Sequence, residues 1–112
     1  MESLLDRIHQ PSDVKKLTDA QVEQLCAEIR QFLLESISKT GGHLASNLGA
    51  VELTVALHRV LKTPTDKIVF DVGHQCYTHK LLTGRREGFE KLRQLDGISG
   101  FPNPNESIHD AF

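Results

Sequence analysis

Lys67-Ile68-Val69-Phe70-Asp71-Val72-Gly73-His74-Gln75 is the stretch that decides the fold class. Its β-branched and aromatic run follows the turn residues Thr63-Pro64-Thr65-Asp66 and is stopped by Gly73, which predicts a strand over 67–72. The near-continuous apolar centre suits a strand covered on both faces, as in the parallel sheet of an α/β protein. A single strand leaves its backbone N–H and C=O groups without partners. The expected architecture is therefore part of a larger α/β domain, mainly helices with one or few parallel strands and an incomplete sheet.

Upstream of this stretch, Leu48, Val51, Leu53, Val55, Ala56, Leu57, Val60 and Leu61 cover most of a helical circumference, predicting a largely buried helix over 48–61. Further upstream, Thr18 is a good N-cap with Gln21 at the capping-box position. Val22, Leu25, Cys26, Ile29, Phe32 and Leu33 then recur at helical spacing, giving a helix over 19–38. Lys39-Thr40 and Gly41-Gly42 close it, and a loop runs to about Asn47. Residues 1–17 are an opening segment in which Pro11 ends any preceding helix and Ser12 or Asp13 caps a short one. Downstream, short helices are expected over 74–82, ending at Gly84, and over 87–95, before a Gly-, Pro- and Asn-rich tail. The organisation is thus an opening segment 1–17, a helical region 18–62, a strand 67–72, and helices and loop over 74–112.

Composition narrows the function classes. With 112 residues and a net charge of −2, the chain has its charges interspersed and offers no basic stripe for nucleic acid. No apolar run approaches the roughly 20 residues that cross a bilayer, and Met1 to Asp13 lacks a signal-peptide pattern, so a cytoplasmic, non-membrane protein is expected. Cys26 and Cys76 form no C-x-x-C pair and support neither a zinc site nor a redox motif; no metal ligand is assigned. Cys26 falls on the apolar stripe of its helix, whereas Cys76, beside His74, is the more accessible candidate.

Chemistry concentrates at two glycine–histidine junctions. His43 follows Gly41-Gly42 between two helices, where a packed scaffold fixes a loop, although a helix C-cap followed by a locally bonded histidine gives the same pattern. His74 follows Gly73 just past the expected strand, the side on which open α/β sheets place their ligand crevice; a histidine capping a strand-to-helix turn is the plain alternative. His79 is not at the i, i+4 spacing from His74 that a zinc-binding helix uses. His9, His58 and His109 have no motif around them and read as surface or core-edge residues, His58 needing a hydrogen-bond partner. Arg85-Arg86 could present two guanidinium groups to a phosphate or be a solvated helix end, and Asp71 could orient His74 or cap the next helix.

Taken together, the blocks Ser38-Lys39-Thr40-Gly41-Gly42-His43-Leu44, Asn47-Leu48-Gly49-Ala50-Val51-Glu52-Leu53-Thr54, Asp71-Val72-Gly73-His74-Gln75 and His79-Lys80-Leu81-Leu82-Thr83-Gly84-Arg85-Arg86 resemble the 1-deoxy-D-xylulose-5-phosphate synthase family. Gly97-Ile98-Ser99-Gly100-Phe101-Pro102, Glu106-Ser107 and Asp110-Ala111-Phe112 continue the likeness to the last residue. Thr78, Cys76 and His109 depart from the proline, small residue and aromatic common in the family. The resemblance implies the amino-terminal part of a transketolase-like, thiamine diphosphate-binding domain in an enzyme that condenses pyruvate with glyceraldehyde 3-phosphate, losing carbon dioxide, in isoprenoid precursor synthesis. It implies His43 as the catalytic histidine and His74 as a thiamine diphosphate contact. The magnesium ligands and the activating glutamate would lie outside these residues, so the chain alone should not turn over and should need a homodimer partner or a missing carboxyl-terminal portion. The alternative is a non-catalytic helical interaction module.

Overall fold

The computed structural model describes residues 3–71, 73–95 and 97–111. Its elements follow from local chemistry, beginning with a 3₁₀ turn at Leu5–Arg7 and then α1, Pro11–Val14. Pro11 opens α1 instead of ending an earlier helix, because its fixed φ and missing N–H suit the first helical position. Asp13 holds this start by accepting from the His9 N–H at 2.9 Å and the Gln10 N–H at 3.2 Å.

The long helix α2, Asp19–Thr40, begins at the expected capping box. The Gln21 N–H donates to Thr18 Oγ1 at 3.2 Å, and the Thr18 N–H donates to Gln21 Oε1 at 2.8 Å, so two orphan donors are satisfied reciprocally. It runs to Thr40, and its buried stripe is Leu25, Cys26, Ile29, Leu33 and Ile37. Phe32 stands at the edge of that stripe, edge-on to Phe89 with 5.5 Å between ring centroids.

The helix expected over 48–61 is α4 at Val51–Val60, and the residues expected as a loop up to about Asn47 include a further helix, α3 at Leu44–Leu48, separated from α4 by Gly49-Ala50. Only one face of α4 is covered: Val51, Thr54, Val55 and His58 are buried against α1 and α2 and against α5, Tyr77–Leu82. Leu53 is 63% exposed and Val60 80% exposed, which corrects the expectation of a largely buried helix.

The strand expected over 67–72 is not found among the described residues; Val72 lies outside them. Ile68 is buried and Val69 exposed, an alternation that extended backbone produces, but the described residues form no ladder beside it. What is described is helical, closed by α5 and by a 3₁₀ helix at Arg86–Lys91 where a helix over 87–95 was expected. The core joins Leu25, Ile29 and Leu33 of α2 to Val51 and Val55 of α4, Tyr77, Leu81 and Leu82 of α5, and Phe89 and Leu92. Among the described residues no helix is long and apolar enough to cross a membrane.

Candidate functional site

Packing of α3 and α5 brings the two glycine–histidine junctions together. His43 is the N-cap of α3, and His74 lies just ahead of α5. Their ring centroids stand 4.9 Å apart with planes tilted by 49°, and the Phe101 ring lies 6.3 Å from that of His43. Both histidines are half-buried. Neither ring donates to or accepts from a described residue, so their nitrogens are available to a ligand.

Each junction needs its glycine. Gly42 has φ +141°, and a Cβ there would stand 2.8 Å from Tyr77 Oη. Gly73 has φ +99°, and a Cβ there would meet Pro102 Cδ at 2.8 Å. Tyr77 is fully buried, with its ring 5.9 Å from that of Phe89, and its hydroxyl accepts the His43 N–H at 3.3 Å. The histidine loops are therefore held through their backbones while the imidazoles stay uncommitted.

Sequence reasoning passed over Asn47 as the end of a loop. Its side chain is fully buried in α3, with Nδ2 donating to the carbonyls of His43 (2.5 Å) and His74 (2.8 Å) and Oδ1 accepting the Tyr77 N–H (2.8 Å). An asparagine inside an otherwise apolar-patterned segment was the available signal, since a buried amide demands partners.

Other candidates are placed elsewhere. His58 and His79 form a buried pair, Nε2 to Nδ1 at 2.8 Å, and His79 Nε2 lies 3.0 Å from Asp110 Oδ1. Arg85 holds the same carboxylate with two contacts of 2.7 Å and reaches Glu106 at 2.9 Å, where Lys80 also binds at 2.7 Å. Arg86 pairs with Asp6. The adjacent arginines are thus neutralised within the fold and form no phosphate clamp. Burial pushes the Asp110 carboxyl upward, and the hydrogen bonds from Arg85, His79 and the Asn103 N–H together overturn this and hold it below the ordinary carboxylate range. His58 is kept neutral, its pKa lowered to about 3 by burial first and then by His79, His109 and Lys15. Asp71 serves through its carbonyl, which accepts from the Gln75 side chain at 3.0 Å and the Gly73 N–H at 2.7 Å.

Cys76 does not flank the histidine pair as an accessible thiol. It is fully buried, with Sγ 3.9 Å from the Gly100 carbonyl, and burial pushes its pKa up to about 12, the opposite of an activated nucleophile. The described residues contain no group of three or more metal-ligating side chains.

Two uncommitted imidazoles thus stand side by side on glycine-turned loops of a helical scaffold. The family model described as 1-deoxy-D-xylulose-5-phosphate synthase matches residues 5–112. The chain belongs to that family. It is 63% identical over 109 residues to the 1-deoxy-D-xylulose-5-phosphate synthase of Bordetella petrii, covering 97% of this chain and 17% of the relative. It is 62% identical over 110 residues to that of Azobacteroides pseudotrichonymphae, covering 98% and 17%. Against that of Lachnoclostridium phytofermentans it is 61% identical over 112 residues, covering 100% and 18%. The chain thus spans less than a fifth of the length of these relatives.

Proposed function

We propose that these residues form the histidine-bearing wall of a thiamine diphosphate site in a 1-deoxy-D-xylulose-5-phosphate synthase that joins pyruvate to glyceraldehyde 3-phosphate. The observation that carries this reading is the side-by-side placement of His43 and His74, with 4.9 Å between ring centroids and no internal use for either ring among the described residues. The donor set suits the cofactor: two half-buried imidazoles offer exchangeable protons and lone pairs to a polar, anionic ligand. When bound, thiamine diphosphate supplies the carbanion stabilisation that decarboxylation and ligation require.

His43 is the catalytic imidazole in this reading. It would deliver and remove protons at substrate oxygen, a task suited to a ring that can both donate and accept. His74 orients the cofactor by contact from the adjoining loop. Magnesium ligands are assigned to the rest of the polypeptide, as the family resemblance implies. Exposed Leu53 and Val60 on α4 fit coverage by that remainder or by a second copy in a homodimer. The same surface favours a second reading, a helical interaction module without chemistry.

The test is substitution in the full-length synthase carrying these residues. His43→Ala should lower kcat by about 10²–10⁴-fold with cofactor affinity nearly unchanged, while His74→Ala should weaken thiamine diphosphate binding. Unaltered turnover and unaltered cofactor affinity in both variants would sink the assignment. The isolated chain, given magnesium and cofactor, should release no carbon dioxide from pyruvate. A thermal-shift titration with thiamine diphosphate separates the readings, because a ligand that binds the native form raises its apparent stability.

A further inference from the structure

We propose that Asn47 is the positioning residue that sets the geometry of the His43–His74 pair, an inference that rests on reading those two imidazoles as active-site groups. No other described side chain bonds to the backbone of both histidines. Asn47 Nδ2 donates to the His43 carbonyl at 2.5 Å and to the His74 carbonyl at 2.8 Å. Its Oδ1 accepts the N–H of Tyr77 at 2.8 Å, and the Tyr77 hydroxyl in turn accepts the N–H of His43 at 3.3 Å. The two loops and the start of α5 are thereby closed into one hydrogen-bonded ring, with Asn47 fully buried at its centre.

Chemistry selects an amide here. Two carbonyls need donors and one N–H needs an acceptor, and of the side chains of this size only asparagine carries both donors and the acceptor. The opposite orientation of the amide would aim its oxygen at two carbonyl oxygens, so the contacts also settle which way it faces. Aspartate would repel both carbonyls, serine offers one donor, and leucine none. The arrangement leaves the ring nitrogens of both histidines free, so Asn47 acts on the reaction only through where it places them. Misplacement of a reacting group by about 1 Å can cost about 10²-fold in rate, so a bond network at this position matters to turnover as well as to folding.

The experiment is a double-substitution cycle in the full-length synthase, at saturating cofactor and both substrates and below the unfolding midpoint of every variant. Asn47→Ala and Asn47→Ser should each lower kcat by about 10–100-fold with smaller changes in KM. The decisive readout is non-additivity: His43→Ala should cost far less in the Asn47→Ala background than in the parent, because a misplaced imidazole has little left to lose. A purely structural asparagine would give factors that multiply, and multiplication would overturn the proposal. So would kcat within about 2-fold of the parent in both folded variants, or loss of the fold in both. If His43→Ala alone leaves kcat intact, the reading of His43 itself falls; if His43→Ala is costly and the Asn47 variants are not, only the role of Asn47 falls.

Discussion

Two histidine pairs in this small molecule have the same spacing between ring centroids, 4.9 Å, and opposite surroundings. His58 and His79 are fully buried, stacked within 24° of parallel, and committed through Asp110 to Arg85. His43 and His74 are half-buried, their backbones are tied down, and their rings are left open. The comparison teaches that proximity of two imidazoles says little about their purpose. What distinguishes them is whether the side chain or the main chain carries the structural load, because a ring such as His79, with one nitrogen on a buried carboxylate and the other on a second imidazole, has neither left for a ligand.

Breaking the buried pair and the open pair should therefore give opposite results. Asp110→Ala leaves the Arg85 guanidinium and the His79 ring without their shared acceptor in a site where the carboxylate side chain is fully buried. Removing one partner of such a pair should cost about 3–5 kcal/mol, read as a lowered urea midpoint of the purified chain. His43→Ala should change the same midpoint by less than about 0.5 kcal/mol, as expected of a side chain with no committed partner. Equal losses from the two substitutions would erase the distinction.

The second contrast is in pH dependence. His58 stays neutral in the fold, its pKa lowered from 6.5 to about 3, so between those values the unfolded chain binds a proton that the native chain refuses. Stability is then fully present above pH 6.5 and is lost as pH falls from 6.5 toward 3. Half-buried His109, its pKa also lowered by burial and by His79, works in the same direction. Asp110 adds a later loss: its carboxyl is depressed in the fold, so its contribution is present above the ordinary value of 3.8 and disappears as pH drops below it. Thermal midpoints measured across this range should fall in two stages. His58→Leu should flatten the first stage while leaving the second.

The smallest effect is at the thiols. Cys76 is fully buried with its pKa pushed up to about 12, and buried Cys26 is also shifted upward by burial. Both should resist a thiol reagent at neutral pH until the chain unfolds. Rapid labelling of Cys76 in the native state would show that the wall beside His74 opens in solution.

Local signals carried the reading where chemistry is local. Thr18 and Gln21 announce α2 because a capping box is complete within one turn, and Gly42 and Gly73 mark their turns because only a residue without Cβ fits them. The glycine–histidine junctions marked His43 and His74 as candidates, and the ordered blocks of residues made the family legible and with it the roles expected of them. The strand over 67–72 was not legible in the same way: a strand is a relation to a neighbour, and the described residues provide none. Nor could spacing reveal that His58 and His79 meet, or that Arg85 is consumed by Asp110, since those contacts join α4, α5 and the final loop. Asn47 escaped for the same reason, its partners being set by how α3 and α5 pack.

The most direct test of the open pair is a crystal structure of the full-length synthase carrying these residues with thiamine diphosphate bound. The account predicts that the imidazoles of His43 and His74 both face the cofactor cavity, with the Asn47 amide bonded to the backbone behind them and His58 and His79 untouched by ligand. A cofactor seated elsewhere, with both rings turned from it, would contradict the account.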